Sequence, residues 1–248
     1  KGIRFIPISA LKGDNVVDKS PNMEWYEGGT LLYELENIHI SSDYNHIDGR
    51  FPVQHVIRPH KKGFEDYRGY AGKIESGVFK VGDKIKILPS GFSSNITKIY
   101  VGEKNVQEAY TPLSVSLSIE DDFDISRGDM IVKENNLPKT SQELDVLVIW
   151  LKESPLEKRK KVLIKHTTNE TVAQVTDILY ELDINTLHKK EDINQLRLNS
   201  IGRVIFRTAK PIMFDNYKEN RTCGSLIIID PNTNDTIGAG ILRWEINV

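Results

Sequence analysis

The chain of 248 residues carries 33 Lys and Arg residues against 35 Asp and Glu residues, a formal net charge of −2 at pH 7. Proteins that bind polyanions generally have a clear basic excess, so this balance argues against nucleic acid as the main partner. The single cysteine, Cys223, excludes an intrachain disulfide and a thiolate metal cluster, and no apolar run is long enough to cross a bilayer. We therefore expect a cytoplasmic protein with no membrane partner.

Residues 1–40 have a different pattern from the rest of the chain. An apolar run typical of the end of a buried strand leads into Ser9, Ala10 and Leu11, and a Gly-Asp-Asn turn follows. Thr30 is placed to be the N-cap of a helix whose apolar side chains recur at helical spacing, namely Leu31, Leu32, Leu35 and Ile38. Because forty residues cannot bury a core of their own, we interpret this segment as the last strand, loop and helix of a truncated α/β domain.

The sequence from residue 48 to residue 136 predicts short β-strands. The run RFPVQHVIR has a mixed alternating pattern, and the turns ESG and KVGD separate further runs rich in β-forming residues. Turn signals recur about every 8–12 residues, which is the spacing expected of a sandwich or barrel. We expect one all-β unit here, either a sandwich or a barrel.

A second β-rich unit follows a polar connection. The run KENNLPKTSQ, residues 133–142, contains Pro138 and is typical of a linker. Beyond it, runs such as LDVLVIWL, KVLIKH and GSLIIID are again short and separated by polar turns. We expect a second all-β unit here, since two units of about 90 to 110 residues fit the usual domain size.

Several runs resemble the translational GTPase superfamily. GKIESGVFKVGDKIKILPSG is similar to the second-domain barrel of elongation factor Tu, and LNSIGRVIF with KPIMFDNYKENR is similar to its third-domain barrel. SALKGDNVVDKSPNMEWYEGGTLLYELE, DYRGYAGKIESG, EDDFDISRGDMIV and DPNTNDTIGAGIL resemble one branch, the large GTP-binding subunit of bacterial sulfate adenylyltransferase. One such motif carries little weight, but this ordered set spans nearly the whole chain. The resemblance implies an all-β fold of two consecutive elongation-factor-Tu-like β-barrels, residues 48–136 and residues 140–248, after the truncated α/β tail.

This resemblance implies a function for the parent protein. The large subunit would hydrolyse GTP, with Mg²⁺, to drive adenylyl transfer from ATP to sulfate on a small catalytic subunit, giving adenosine 5′-phosphosulfate and diphosphate. The two barrels would dock that subunit and relay the nucleotide state from the chain's own missing GTPase domain. The sequence has no G-x-x-x-x-G-K-[ST] phosphate loop, so we expect this chain alone to bind no GTP or Mg²⁺ and to have no activity.

The resemblance also implies one ligand site, at Ser9, Ala10 and Leu11. In the parent protein the backbone N–H of Ala10 would donate to the guanine 6-oxygen, while Ser9 would shape the loop. The alternative is an ordinary corner between a strand and a loop, because a three-residue motif has a high false-positive rate. In this chain alone the second interpretation is preferred, since one amide cannot hold a nucleotide.

The remaining polar clusters favour structural roles. We interpret the acidic run at residues 120–124 as a turn rather than a metal or acid/base site. We interpret the basic run at residues 157–165 as a solvated hairpin turn rather than a phosphate-binding patch. His166 is expected to be a polar residue at a strand end, and Arg203 and Arg221 are candidates for interdomain ion pairs. No histidine pair has metal-binding spacing, and we assign no catalytic residue. The histidines are His39, His46, His55, His60, His166 and His188.

A function of a different class shares the same expected fold. The chain would then be the barrel pair of an elongation-factor-like GTPase that binds transfer RNA. The near-neutral charge and the runs RGYAG and NMEWYEGG favour sulfate activation over this alternative. A free-standing barrel enzyme ranks last, because no pair of nucleophile and base is evident.

Overall fold

The computed structural model describes residues 5–37, 44–59 and 68–242. Backbone contacts divide the chain into two units, residues 1–43 and residues 44–248. Apart from one short helix, the regular elements of the described residues are β-strands, and this confirms the all-β prediction. Within them, no helix has the length and apolar character needed to cross a membrane.

The first unit contains the helix α1 (Leu31–Asn37). Its N-terminus is capped as predicted, since the Thr30 hydroxyl accepts a hydrogen bond from the Tyr33 amide at 3.3 Å and the Thr30 carbonyl accepts one from the Glu34 amide at 3.0 Å. No residue of the helix is buried, and Leu35 is 59% exposed. The predicted apolar face is therefore open along the described helix, while Ile38 lies outside the described residues.

The first barrel is a closed ring of antiparallel strands. Its ring order is β4-β9-β1-β2-β8-β5, which returns to β4, with β6 added beside β5 and a separate β3–β7 pair. Alternate side chains point inward and form the core, which is built around Phe51, Tyr70, Phe79, Ile99 and Leu117. The strands are β1 (Arg50–Ile57), β2 (Gly69–Lys73), β3 (Val78–Lys80), β4 (Lys84–Leu88), β5 (Ser93–Val101), β6 (Lys104–Val106), β7 (Glu108–Tyr110), β8 (Ser114–Ile119) and β9 (Met130–Lys133).

The second barrel closes in the same way with longer strands. Its ring order is β12-β17-β18-β10-β16-β13, which returns to β12, and β14 is added beside β13. Trp150, Phe206 and Phe214 are among the fully buried side chains of its core. The strands are β10 (Lys139–Trp150), β11 (Leu156–Glu157), β12 (Lys161–His166), β13 (Asn169–Leu182), β14 (Lys189–Lys190), β15 (Gln195–Leu196), β16 (Ile201–Phe214), β17 (Ser225–Ile229) and β18 (Thr236–Leu242).

The connection between the barrels is shorter than the sequence suggested. The predicted linker covered residues 133–142, but Lys133 still belongs to β9 and β10 already begins at Lys139. Residues 139–141 pair with the end of β16 and are therefore part of a strand. Their polar side chains suggested a linker, but polar residues are also typical of the solvated face of a strand. Only residues 134–138 connect the two barrels.

Candidate functional site

The Ser9-Ala10-Leu11 loop forms a tight turn in the first unit. The Ser9 amide donates to the Asp14 carbonyl at 3.1 Å, and the Gly13 amide donates to the Ser9 carbonyl at 2.8 Å. The turn projects Leu11, which is 96% exposed. None of the hydrogen bonds within the described residues uses the Ala10 amide, and Ala10 is exposed.

Asn15 holds this loop against the start of α1. Its side-chain amide donates to the Pro7 carbonyl at 3.0 Å, and its side-chain oxygen accepts from the Ser20 amide at 2.8 Å. The Leu31 amide donates to the Asn15 carbonyl at 2.9 Å. Asn15 is only 2% exposed and has a φ of 54°, a left-handed conformation that asparagine tolerates better than most residues. The Gly-Asp-Asn turn was visible in the sequence, but the structural role of Asn15 was not.

A second region of interest lies where the two barrels meet, and it combines an apolar cluster with a buried polar network. Leu88, Met130 and Val132 point outward from β4 and β9 of the first barrel, and they form an apolar cluster with Met213 and Cys223 of the second. Cys223 is buried, and burial raises the pKa of its thiol. We call this contact region the joint.

Arg50 crosses the joint from β1. Its Nε lies 2.9 Å from Asp215 Oδ2, and its Nη2 lies 2.9 Å from Asp215 Oδ1, which makes a bidentate ion pair. Nη1 donates to the Asn136 carbonyl at 2.9 Å and to the Gly49 carbonyl at 3.0 Å. The Arg50 and Asp215 side chains are 3% and 8% exposed. A charge buried this deeply is tolerated because it is paired and because each of the three guanidinium nitrogens donates a hydrogen bond.

Asn220 and Asp48 extend the network on both sides of this pair. Asn220 Nδ2 donates to Asp215 Oδ2 at 3.2 Å and to the Ser76 hydroxyl at 2.9 Å, so it links both barrels. Asp48 accepts from Asn136 Nδ2 at 2.6 Å. Burial raises the pKa of Asp48, but hydrogen bonds from its asparagine neighbours and the Arg50 charge outweigh that effect, so its pKa lies below the usual value.

His166 ends β12 beside the joint, which confirms the predicted strand-end position. It is 1% exposed, and its Nε2 lies 2.8 Å from the Cys223 carbonyl. Since a carbonyl only accepts, Nε2 carries the proton in this contact. Burial lowers the pKa of His166, although the Cys223 carbonyl and the Asp215 charge oppose the shift. His166 is therefore a neutral structural residue at pH 7 rather than a contact residue on the surface.

Neither arginine that was a candidate for an interdomain ion pair forms one in the described residues. Arg203 on β16 pairs with Asp145 on β10, with Nε 2.8 Å from Oδ1, and both strands belong to the second barrel. Arg221 is exposed, and the described residues give it no ion pair. The ion pair that does join the barrels, Arg50 with Asp215, lacked a sequence signal because a register between two barrels cannot be read from either segment alone.

The two charged runs have structural roles. The acidic run at residues 120–124 is a loop in which Asp121 accepts from the Ser94 hydroxyl at 2.8 Å and Asp122 pairs with Arg68. The basic run makes a turn at residues 158–159, but β11 and β12 are not paired with each other, so this is not a hairpin. Among the described residues, no group of His, Cys, Asp and Glu side chains is arranged to hold a metal ion.

Known proteins resemble the chain in sequence along nearly its whole length. Residues 143–243 match the family described as GTP-eEF1A C-terminal domain-like. The bifunctional enzyme CysN/CysC of Mycobacterium tuberculosis is 46% identical over 99% of this chain and 40% of its own length. Sulfate adenylyltransferase subunit 1 of Bacteroides fragilis is 45% identical over 97% of this chain and 49% of its own length. The chain thus spans half or less of the length of these two relatives.

Solved structures share the fold at lower identity. Sup35 complexed with GDP aligns with 98% of this chain and 59% of its own chain at a TM-score of 0.74 and 18% identity. Translation elongation factor SelB from Methanococcus maripaludis aligns with 86% of this chain and 46% of its own at a TM-score of 0.64 and 20% identity. At these identities the likeness concerns the fold alone.

Proposed function

Because the chain is a homologue of sulfate adenylyltransferase subunit 1 along nearly its whole length, we propose that it is the C-terminal part of the GTPase regulatory subunit of that enzyme. The parent protein couples GTP hydrolysis to the reaction of ATP with sulfate, which gives adenosine 5′-phosphosulfate and diphosphate in sulfate assimilation. The observation that carries the proposal is the identity of 45–46% over 97–99% of the chain. Its place of action is the cytoplasm, where ATP and GTP are available.

Each segment has its own part in this function. Residues 1–40 are the end of the GTPase domain, residues 48–136 are the first barrel and residues 140–248 are the second. The barrels dock the small catalytic subunit and relay the nucleotide state to it. The buried Arg50–Asp215 pair supports this role, because two barrels fixed to each other transmit a displacement without absorbing it.

The guanine loop of the parent protein is Ser9, Ala10 and Leu11. The Ala10 amide fits the 6-oxygen of guanine, since it is a backbone donor on an exposed turn with no partner in the described residues. When GTP is bound, this contact orients the base and strengthens binding by about tenfold, the effect expected of one hydrogen bond to a ligand. The phosphates and Mg²⁺ do not fit the residues present, because the sequence lacks a phosphate loop and the described residues hold no group of carboxylates arranged to bind a metal ion.

Binding of the purified chain to the small catalytic subunit tests this function. We expect a complex on analytical size exclusion and no GTP hydrolysis by this chain alone, because it lacks the phosphate-binding groups. A folded chain that fails to bind the folded catalytic subunit would overturn the docking role. GTP turnover by a preparation free of other GTPases would contradict the proposed absence of activity.

Binding of transfer RNA is a second possible function, favoured by the fold shared with translation factors such as SelB. A filter-binding titration at several salt concentrations separates the two. Sub-micromolar RNA binding that weakens steeply with salt would support the elongation-factor-like function. The net charge of −2 favours sulfate activation.

A further inference from the structure

The turn that contains the guanine loop is closed by its own hydrogen bonds. The Ser9 and Asp14 backbones form an antiparallel bridge, in which the Ser9 amide donates to the Asp14 carbonyl at 3.1 Å. The Gly13 amide donates to the Ser9 carbonyl at 2.8 Å, and the Lys12 amide donates to the Ser9 hydroxyl at 3.4 Å. Because these contacts join residues 9–14 to one another, they fix the shape of the turn and leave its position in the first unit to other contacts.

Asn15 follows this turn directly and connects it to three other segments of the unit. Its side-chain nitrogen donates to the Pro7 carbonyl at 3.0 Å, in the segment that leads into the turn, and to Met23 Sδ at 3.3 Å. Its side-chain oxygen accepts from the Ser20 amide at 2.8 Å. Its backbone carbonyl accepts from the Leu31 amide at 2.9 Å, which is the first residue of α1. One buried residue thus positions the turn against all three segments.

The side-chain amide of Asn15 fits this place in one orientation only. The Pro7 carbonyl can only accept a hydrogen bond and the Ser20 amide can only donate one, so a rotated side-chain amide would set acceptor against acceptor and donor against donor. Water has little access to replace these bonds, since Asn15 is 2% exposed. Its φ of 54° limits the position to residues that tolerate a left-handed backbone, chiefly Gly, Asn and Asp. Of these three, only Asn offers both a donor and an acceptor.

The position of the Ala10 amide decides which purine the guanine loop accepts. Guanine carries an oxygen at C6, which accepts a hydrogen bond, whereas adenine carries an amino group there, which donates one. An N–H group held opposite adenine therefore faces another donor and stays unpaired, which is how a polar site rejects the wrong ligand. Such selection requires the donor to be held within about 0.5 Å of its place. The parent protein of the proposed function works beside an ATP-consuming reaction, so it has to tell the two purines apart.

We propose that Asn15 is a positioning residue for purine specificity, which holds the Ala10 amide where the 6-oxygen of guanine lies and so sets the preference for GTP over ATP. This inference rests on the proposed function and adds a residue to its guanine loop. The competing explanation is that Asn15 only supports the fold of the first unit. The two differ in what they predict: a loss of fold weakens every nucleotide alike, whereas a displaced Ala10 amide weakens only nucleotides with a 6-oxygen.

Two variants of Asn15 in the full-length parent subunit test this role. Asn15→Gly removes all the side-chain hydrogen bonds, and glycine adopts the φ of 54° without strain. Asn15→Asp keeps the acceptor for the Ser20 amide and removes the donor to the Pro7 carbonyl.

Two further variants are controls in the same unit. Asn22→Gly makes the same chemical change at an exposed asparagine. Thr30→Val removes the side-chain cap of α1, and so lowers stability without removing a hydrogen bond of Asn15. Each protein is checked by circular dichroism and thermal unfolding. GTP, inosine triphosphate and ATP are then titrated in competition with a fluorescent GTP analogue.

We expect Asn15→Gly to bind GTP and inosine triphosphate about fivefold more weakly, because both carry the 6-oxygen, and to bind ATP within about twofold of the unchanged subunit. The loss lies within the factor of about ten expected for one hydrogen bond to a ligand. Asn15→Asp should lose about threefold for the same two nucleotides. Asn22→Gly should bind all three as before, and Thr30→Val should change all three by the same factor.

An equal loss for all three nucleotides in the Asn15 variants, or no loss for any, would overturn the proposal and leave the proposed function intact. If Asn15→Gly does not fold, Asn15→Asp gives the same comparison, and loss of fold in both would assign Asn15 to folding and overturn the role in specificity. An unchanged parent subunit that binds ATP as well as GTP would remove the proposed guanine loop and this inference with it.

Discussion

Arg50 and Asp215, which are 165 residues apart in the sequence, form a bidentate ion pair between the two barrels. Both side chains are almost fully buried. Neither barrel needs this pair to close its own ring of strands, since Arg50 stands at the outer side of β1 and Asp215 follows the end of β16. The pair therefore fixes the position of one barrel relative to the other.

Removal of one partner should be costly. We expect Arg50→Met to lower the free energy of unfolding by about 3–5 kcal/mol, because it leaves the Asp215 carboxylate buried without its counter-ion. Urea unfolding followed by circular dichroism measures this loss. Lys84→Met is the control, since Lys84 is exposed and should change stability by less than about 0.5 kcal/mol. A loss below about 1 kcal/mol for Arg50→Met would mean that the pair is not structurally important.

Stability should fall in mild acid because of His166. Its folded-state pKa lies below the ordinary value of 6.5, so the unfolded chain binds the proton more readily. The stability is complete above the unfolded pKa and is lost as the pH falls from about 6.5 towards the folded pKa, with a slope of at most about 1.4 kcal/mol per pH unit. His166→Gln should flatten this part of the profile in urea titrations between pH 8 and pH 5. Parallel profiles for both proteins would contradict the assignment.

Gly77 should tolerate no side chain. Its φ is 80°, and an added Cβ would lie 2.5 Å from the Gly49 Cα. Gly82 has a φ of 89° with nothing within 4 Å of an added Cβ, so it provides a matched control for backbone strain alone. We expect Gly82→Ala to cost about 1–2 kcal/mol and Gly77→Ala to cost at least about 2 kcal/mol more, because it adds a collision between backbones. Equal losses in thermal or urea unfolding would argue against a tight contact.

The Ala10 amide should contribute to guanine binding in the parent protein. In a full-length subunit, Ala10→Pro removes this donor and should weaken GTP binding by about tenfold, the loss expected for one hydrogen bond to a ligand. Ala10→Gly keeps the amide and should bind nearly as before. Val17→Ala, at a position 58% exposed in the same unit, controls for general disturbance. Isothermal titration with GTP and with ATP distinguishes lost guanine recognition from lost phosphate binding, and an unchanged GTP affinity for Ala10→Pro would exclude the role.

The elements that depend on local patterns were predictable. Thr30 was identified as an N-cap because its side chain and the following apolar spacing are adjacent in sequence. The strands that contain Val146 and Ile228 were identified because each is a short apolar run bounded by polar turns. Closure of both rings was expected only through the family resemblance, since pairs such as β4 with β5 and β12 with β13 depend on register.

The joint could not be predicted because its residues are separated by a whole barrel. Arg50 precedes an ordinary alternating strand, and Asn220 lies in a polar loop that looks like any other. Arg203 was a candidate for an interdomain ion pair because it lies among apolar strand residues. Those neighbours and its partner Asp145 belong to one barrel. Whether Arg50 or Arg203 pairs across the joint depends on which one lies close to a carboxylate of the other barrel. Sequence spacing does not encode that proximity over 165 residues.

The five residues 134–138 belong to the hydrogen-bond network of the joint as well as connecting the barrels. Asn136 accepts from Arg50 through its backbone carbonyl and donates to Asp48 through its side chain. An insertion or deletion here would move Asn136 out of the network even if both barrels stayed intact. Connections between domains usually accumulate length differences during evolution because their length is under little constraint. Among homologues that keep Arg50 and Asp215, we expect this connection to have a constant length. Insertions and deletions should therefore be as rare in it as they are in a strand.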